Sequence, residues 1–203
     1  MTPFDEIVLP GDPGKPVLLA LHGTGGDEHD LIRIAEAVAP GWTYWGIRGK
    51  EREHGMNRYF KRFAEGVFDE DNIRMRTPEL ADWIRMRWQD EDLAGRPVVA
   101  LGYSNGANMA ANLLLSGSGV LEGAVMLRPM VTLDWPEASL NGVKGLVISG
   151  QIDPICPPEQ GAALAGQLRE AGAEVEFVTL GVAHNLAQGD IVRSSEFLAS
   201  FEG

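Results

Sequence analysis

The sequence predicts an α/β protein: a mostly parallel central sheet, helices on both of its faces, and no separate cap domain. Two observations carry that expectation. Runs that are apolar almost throughout, as strands buried on both faces must be, alternate with stretches whose apolar residues recur at helical spacing. One such run, Pro97 to Leu101, passes into a helical stretch through the corner Gly102-Tyr103-Ser104-Asn105-Gly106, the kind of βα connection a parallel sheet is built from.

The elements follow in order. Pro16 to Leu21 reads as the first buried strand, and Asp27 to Ala39 as a helix with Leu31, Ile34, Ala35 and Val38 on one face and acidic residues at its start. Thr43 to Ile47 is the next strand. The segment from Arg48 to Thr77, rich in charge and aromatics, has no regular period. A helix is expected from Pro78 to Asp92, with the proline in its first turn. After the strand to Leu101 comes a helix from Ala107 to Leu115. Strands at Ala124–Leu127 and Gly145–Ser149 precede a helix from Ala162 to Ala171, which Gly172 closes. A strand over Val175–Leu180 and a helix from Asp190 to Phe201 complete the pattern.

The 203 residues suit one domain, 1–203, around a single core, and 44% hydrophobic with 23% charged residues is an ordinary globular composition. A net charge of −12 sets the surface against nucleic-acid phosphates and anionic membranes, and it also keeps a chain soluble. No apolar run approaches the ~20 residues of a membrane span, and no basic start leads into an apolar leader core. With Cys156 as the lone cysteine, no internal disulfide can form, which matches a reducing, cytoplasmic setting. No nucleic-acid partner and no stable membrane association are expected; a homodimer stays open.

In parallel sheets functional residues gather just beyond the strands' carboxyl ends. Ser104 stands there, at a corner whose flanking glycines leave room for a strained turn, the nucleophile elbow of an α/β-hydrolase. Asp153 follows the strand Gly145–Ser149, and His184 follows Val175–Leu180. The order Ser, Asp, His is that of the same fold, with separations of 49 and then 31 positions. A serine hydroxyl needs a base; an imidazole titrating near neutrality supplies one, and a carboxylate fixes its tautomer. Asp153 before Pro154 also suits a turn starter, and His184 also suits a loop histidine.

An oxyanion needs two backbone N–H donors. Asn105, after the nucleophile, is the first candidate; Thr24, in the loop His22-Gly23-Thr24-Gly25-Gly26-Asp27, is the second. His22 suits a structural hydrogen bond better than a second base. The same loop has neither the third glycine of a dinucleotide fingerprint nor a Lys-Ser/Thr pair, so no nucleotide is expected. His22, His29, His54 and His184 lie far apart in sequence, and no metal is expected.

Taken together, Leu21 to Asp27, Gly102 to Ala107, Gly150-Gln151-Ile152-Asp153-Pro154 and the His184 loop resemble the phospholipase/carboxylesterase family of small α/β-hydrolases, relatives of acyl-protein thioesterases. Arg48-Gly49-Lys50, His54-Gly55-Met56, Arg58-Tyr59-Phe60 and Leu127-Arg128-Pro129-Met130 look like its bacterial carboxylesterase branch. The resemblance implies a cofactor-free serine hydrolase with a small-molecule ester substrate, acting through a Ser104–His184–Asp153 triad and an acyl-enzyme. Thioesterase or lactonase chemistry shares that machinery, and a non-catalytic binding scaffold is the contrasting class. Dienelactone hydrolases, similar in size, use a cysteine nucleophile where this chain has Ser104. The aromatic and Met side chains beyond strand ends, Tyr59, Phe60, Met130 and Trp135, with Phe63 and Phe68, suit either a substrate cleft or the edge of the core. Without a cap, the site is expected to be open and shallow, suited to small soluble esters.

Overall fold

The structure, a computed structural model, describes residues 2–90, 93–136 and 138–202. Among them, seven strands form one sheet: β1 (Glu6–Leu9), β2 (Val17–Leu21), β3 (Thr43–Ile47), β8 (Val98–Tyr103), β9 (Gly123–Leu127), β10 (Lys144–Gly150) and β11 (Glu174–Leu180). Their spatial order is β1-β3-β2-β8-β9-β10-β11. Only β1, on the edge, runs antiparallel to its neighbour. The intervening numbers belong to two small hairpins, β4 (Glu51–Glu53) with β5 (Met56–Arg58), and β6 (Arg62–Ala64) with β7 (Val67–Phe68).

Alternation along the strands divides the core. Leu18, Leu101, Val125 and Ile148 pack with Leu31, Ala35 and Leu198, under helices α1 (Ile32–Val38) and α5 (Gln188–Leu198). Leu19, Ala100, Met126 and Val147 face the other way, toward α2 (Glu70–Arg87), α3 (Asn105–Leu115) and α4 (Pro158–Glu170). The expected architecture, a mostly parallel sheet sandwiched by helices, is the one observed.

Several boundaries differ from the expectation, each for a physical reason. Helix α1 starts at Ile32 because 27–31 form turns; Glu28, expected to charge a helix start, instead receives two hydrogen bonds from the Arg48 guanidinium, at 2.5 and 2.6 Å. Helix α2 starts at Glu70, so Pro78 lies inside it. Asp69 caps it by accepting from the Asn72 N–H at 3.0 Å, and the buried stripe Ile73, Thr77, Leu80, Ile84 runs straight across the proline. The expected continuation to Asp92 stops at Arg87, and Glu91 and Asp92 lie outside the described residues. Helix α4 begins one turn early, at Pro158, where a proline costs the first turn nothing.

Strand β1, absent from the sequence expectation, is tied down by one carboxylate. Glu6 Oε2 accepts from the indole N–H groups of Trp45 (3.0 Å) and Trp83 (2.8 Å), and Oε1 accepts from Arg87 Nε at 2.5 Å. One carboxylate on β1 therefore accepts from both β3 and α2. Glu6→Ala leaves two indole donors and a guanidinium without their partner and should cost about 3 kcal/mol in urea denaturation, with Glu6→Gln intermediate. Equal stability of Glu6→Ala and wild type would refute this account of the edge.

Candidate active site

The turn between β8 and α3 holds Ser104 at φ +51°, ψ −112°, a region that costs a side-chain-bearing residue about 1–3 kcal/mol. Two glycines make the turn sterically feasible. A Cβ at 102 would sit 2.5 Å from the Gly106 carbonyl oxygen, and one at 106 would strike the Leu21 carbonyl at the end of β2. The close approach brings the loop after β2 beside Ser104, and the Ser104 N–H donates to Leu127 O at 2.8 Å.

The structure places the three residues named from sequence in one chain of contacts. His184 Nε2 lies 3.2 Å from Ser104 Oγ, and His184 Nδ1 lies 2.8 Å from Asp153 Oδ2. Asp153 is buried and uses both its oxygens. Oδ1 accepts from the N–H groups of Ile155 (2.8 Å) and Cys156 (3.0 Å), closing the turn at Pro154, while Oδ2 faces the imidazole. Burial works against its ionisation, but the Cys156 N–H, the His184 ring and the Ile155 N–H outweigh it and hold the carboxyl below the ordinary carboxylate range.

The His184 loop is gripped from beneath. Arg128, fully buried, donates to the carbonyls on either side of His184, Ala183 O (3.2 Å) and Asn185 O (3.0 Å). It also forms a two-pronged pair with the equally buried Asp190, at 2.8 and 2.9 Å. Asp190 Oδ2 in turn accepts the Ala187 N–H at the start of α5. The Tyr103 hydroxyl donates to His184 O at 3.0 Å. Three backbone carbonyls around the imidazole are thus fixed by side chains.

The N–H of Asn105, at the first position of α3, and that of Thr24 donate to no group among the described residues. Both residues line a cleft of ≈ 30 Å³ together with Ser104. His22 has a different occupation. Its Nδ1–H donates to Gly23 O (2.6 Å) and its Nε2 accepts the Gly49 N–H (3.0 Å), an arrangement that only the neutral ring can make; burial lowers its pKa accordingly.

Of the expected substrate-binding side chains, Met130 lines the Ser104 cleft, as does Phe68. The other three do not. Tyr59 is buried with its hydroxyl donating to Ile47 O (2.6 Å) and accepting the His22 N–H (3.0 Å), so its ring is a strut between loops. Phe60 is wholly enclosed, edge-on to Phe68. Trp135 donates to Asn112 Oδ1 at 2.9 Å and lines a separate cavity of ≈ 560 Å³ beside Leu115 and Gln167. Phe63 is exposed on the surface.

Two arginines, Arg58 and Arg62, line the cleft where sequence reasoning looked for aromatics. Neighbours in an extended segment point to opposite sides, so Tyr59 turning toward His22 sends Arg58 toward Thr24, whose Oγ1 accepts from its Nη1 at 2.6 Å. Asp153, Cys156 and His184 also lie close enough to hold a cation. Both Asp153 oxygens are already engaged, and burial first, with the Asp153 charge, pushes the Cys156 thiol up to about 12, which keeps it protonated and a poor ligand.

The model of the phospholipase/carboxylesterase family matches residues 3–201. The chain is 40% identical over 182 residues to the putative hydrolase MhqD of Bacillus subtilis, spanning 89% of this chain and 91% of that protein. Among solved structures it is similar to the Bacillus cereus carboxylesterase, at 37% identity and a TM-score of 0.93, covering 97% of this chain and 94% of the other. It is also similar to YahD, solved with malic acid, at 31% identity and a TM-score of 0.90, covering 98% and 99%.

Two outcomes follow from the site's geometry. Because its folded pKa is depressed, Asp153 contributes stability above the ordinary carboxylate pKa of about 4, and that contribution disappears as pH falls through the folded value. The stability gap between wild type and Asp153→Asn, followed by urea denaturation, should therefore narrow below pH about 4; a constant gap contradicts the pairing. Arg128→Ala strands a buried Asp190 carboxylate and should cost about 3–5 kcal/mol in the same assay, whereas a loss within experimental error would show the pair to be dispensable.

Proposed function

The chain belongs to the phospholipase/carboxylesterase family and is a hydrolase of that family; from this premise we propose that it cleaves carboxylic esters of small soluble substrates through an acyl-enzyme on Ser104. The observation that carries the reading is the unbroken series Asp153 Oδ2, His184, Ser104 Oγ, with contacts of 2.8 and 3.2 Å. In this reading Ser104 Oγ attacks the ester carbonyl while His184 Nε2 takes its proton. The developing oxyanion accepts from the Thr24 and Asn105 N–H groups, which have no other acceptor among the described residues. His184 then protonates the departing alkoxide. Water, deprotonated by the same imidazole, releases the acid and restores Ser104.

Asp153 acts through the ring: it fixes the tautomer with Nδ1 protonated and stabilises the imidazolium as it forms. A module that merely bound a small molecule would have no use for a base in contact with a strained serine. A relative solved with malic acid is in keeping with a small carboxylic acid, the product class of this reaction. No helix among the described residues is long and apolar enough to cross a membrane.

The test is turnover of p-nitrophenyl acetate. Wild type should hydrolyse it with an acylation burst, and Ser104→Ala should lower kcat/KM by about 10⁴-fold or more without altering thermal stability by the same token. Turnover by Ser104→Ala equal to that of wild type would end the assignment.

A further inference from the structure

Beside the Ser104 cleft lies a second depression of ≈ 380 Å³, and Arg58 and Arg62 line both. The second depression is also lined by Arg52, Lys61, Glu51 and Glu53. In a chain of net charge −12, four cations, Arg52, Arg58, Lys61 and Arg62, thus line a depression next to a candidate nucleophile.

The three carboxylates that line the second depression, Glu51, Glu53 and Asp69, are already engaged. Glu51 is occupied by the Asn72 amide (2.9 Å) and Arg76 Nε (2.7 Å). Glu53 is shared: both its oxygens accept from Arg62 Nε at 3.0 Å, and it lies 3.5 Å from Arg58 Nη1. Asp69 caps α2. Glu53 thus serves two guanidinium groups, and Glu65, which also lines the Ser104 cleft, makes no ion pair with either of them among the described residues. Arg58 is 2% exposed and anchored by Thr24 Oγ1 and the Phe60 carbonyl (3.1 Å), so its charge is fixed in place at the cleft. Burial, then the like charge of Arg62, lowers its pKa to about 10, against the opposing effect of Glu53. Neither terminal nitrogen of Arg62 donates to a described group, and its side chain is a quarter exposed. Those nitrogens are what an arriving anion would meet.

We propose that Arg58 and Arg62 form a carboxylate-recognising subsite, so that the preferred ester substrate bears a free carboxylate on the part that lies along the second depression. Planar guanidinium forks suit that group, which accepts two parallel hydrogen bonds. The inference rests on the esterase reading of Ser104 and names the substrate class for it. Net negative charge does not favour such a substrate at long range, so the selectivity resides in the contact.

The experiment compares esters matched in size and differing in charge. On the acyl side, p-nitrophenyl hemisuccinate is set against p-nitrophenyl butyrate; on the alcohol side, p-carboxybenzyl acetate is set against p-methylbenzyl acetate. Wild type should favour the carboxylate member of at least one pair in kcat/KM. Arg62→Gln should reduce that preference about tenfold or more, and Arg62→Lys should retain most of it. Arg62 is partly exposed whereas Arg58 is buried, so the test uses Arg62 variants, whose folding circular dichroism checks. A charged-to-neutral ratio that Arg62→Gln leaves unchanged in both pairs overturns the subsite while the esterase reading stands. If no ester is cleaved by Ser104, the esterase reading falls alone, and calorimetric titration with succinate decides the subsite: binding that Arg62→Gln abolishes upholds it, and absence of binding to wild type overturns it.

Discussion

The tight turn from β8 into α3 is the constraint on which the rest of the site depends. Its backbone conformation at Ser104 is unfavourable for any side chain, and it persists because packing on both sides over-determines it. Gly106 lets α3 press against the end of β2, and Gly102 lets the same helix press against its own strand. Those two contacts bring together the loop that carries Thr24, the first turn of α3 that carries Asn105, and the hydroxyl between them. Had either glycine a side chain, the helix would have to retreat and the two N–H groups would part.

Two further anchors act on the partners of Ser104, and both are buried charges with full sets of hydrogen bonds. Asp153 is held by the backbone of its own turn, so its second oxygen has one direction left, toward His184. Arg128 clasps the His184 loop from within the protein and is itself balanced by Asp190. A buried ion pair is a poor source of net stability. Its use here is directional: it fixes the carbonyls flanking the His184 imidazole. Fold and site are thus joined, with the sheet setting the distances and the buried polar groups setting the angles.

Much of this was legible from residues alone, and the reasons differ by element. The central strands β2, β8, β9 and β10 announce themselves because both their faces are buried, which forces near-continuous hydrophobicity. The corner at Ser104 does so because only glycine fits at 102 and 106. Strand β1 stayed hidden: it lies at an edge, is short, and is held by the Glu6 carboxylate as much as by apolar packing. The hairpins at 51–58 and 62–68 stayed hidden because their charged residues satisfy one another (Arg62 with Glu53, Arg76 with Glu51), and paired charges leave no hydrophobic period. The same holds for the cleft. Aromatics beyond strand ends are a sound hint of a pocket, and Phe68 and Met130 do line the cleft; Tyr59 braces loops and Phe60 is enclosed, and from their stretch it is Arg58 and Arg62 that reach it. The sequence clue to them was the pair of arginines at 58 and 62 within an acidic chain.

The central claim, that the strained hydroxyl at 104 is activated by its contact with His184, is tested most directly by fluorophosphonate labelling read by intact mass and peptide mapping. The account predicts a single adduct on Ser104 in wild type and labelling slowed at least about a thousandfold in His184→Ala. An adduct elsewhere, no adduct at all, or equal labelling of His184→Ala would contradict it.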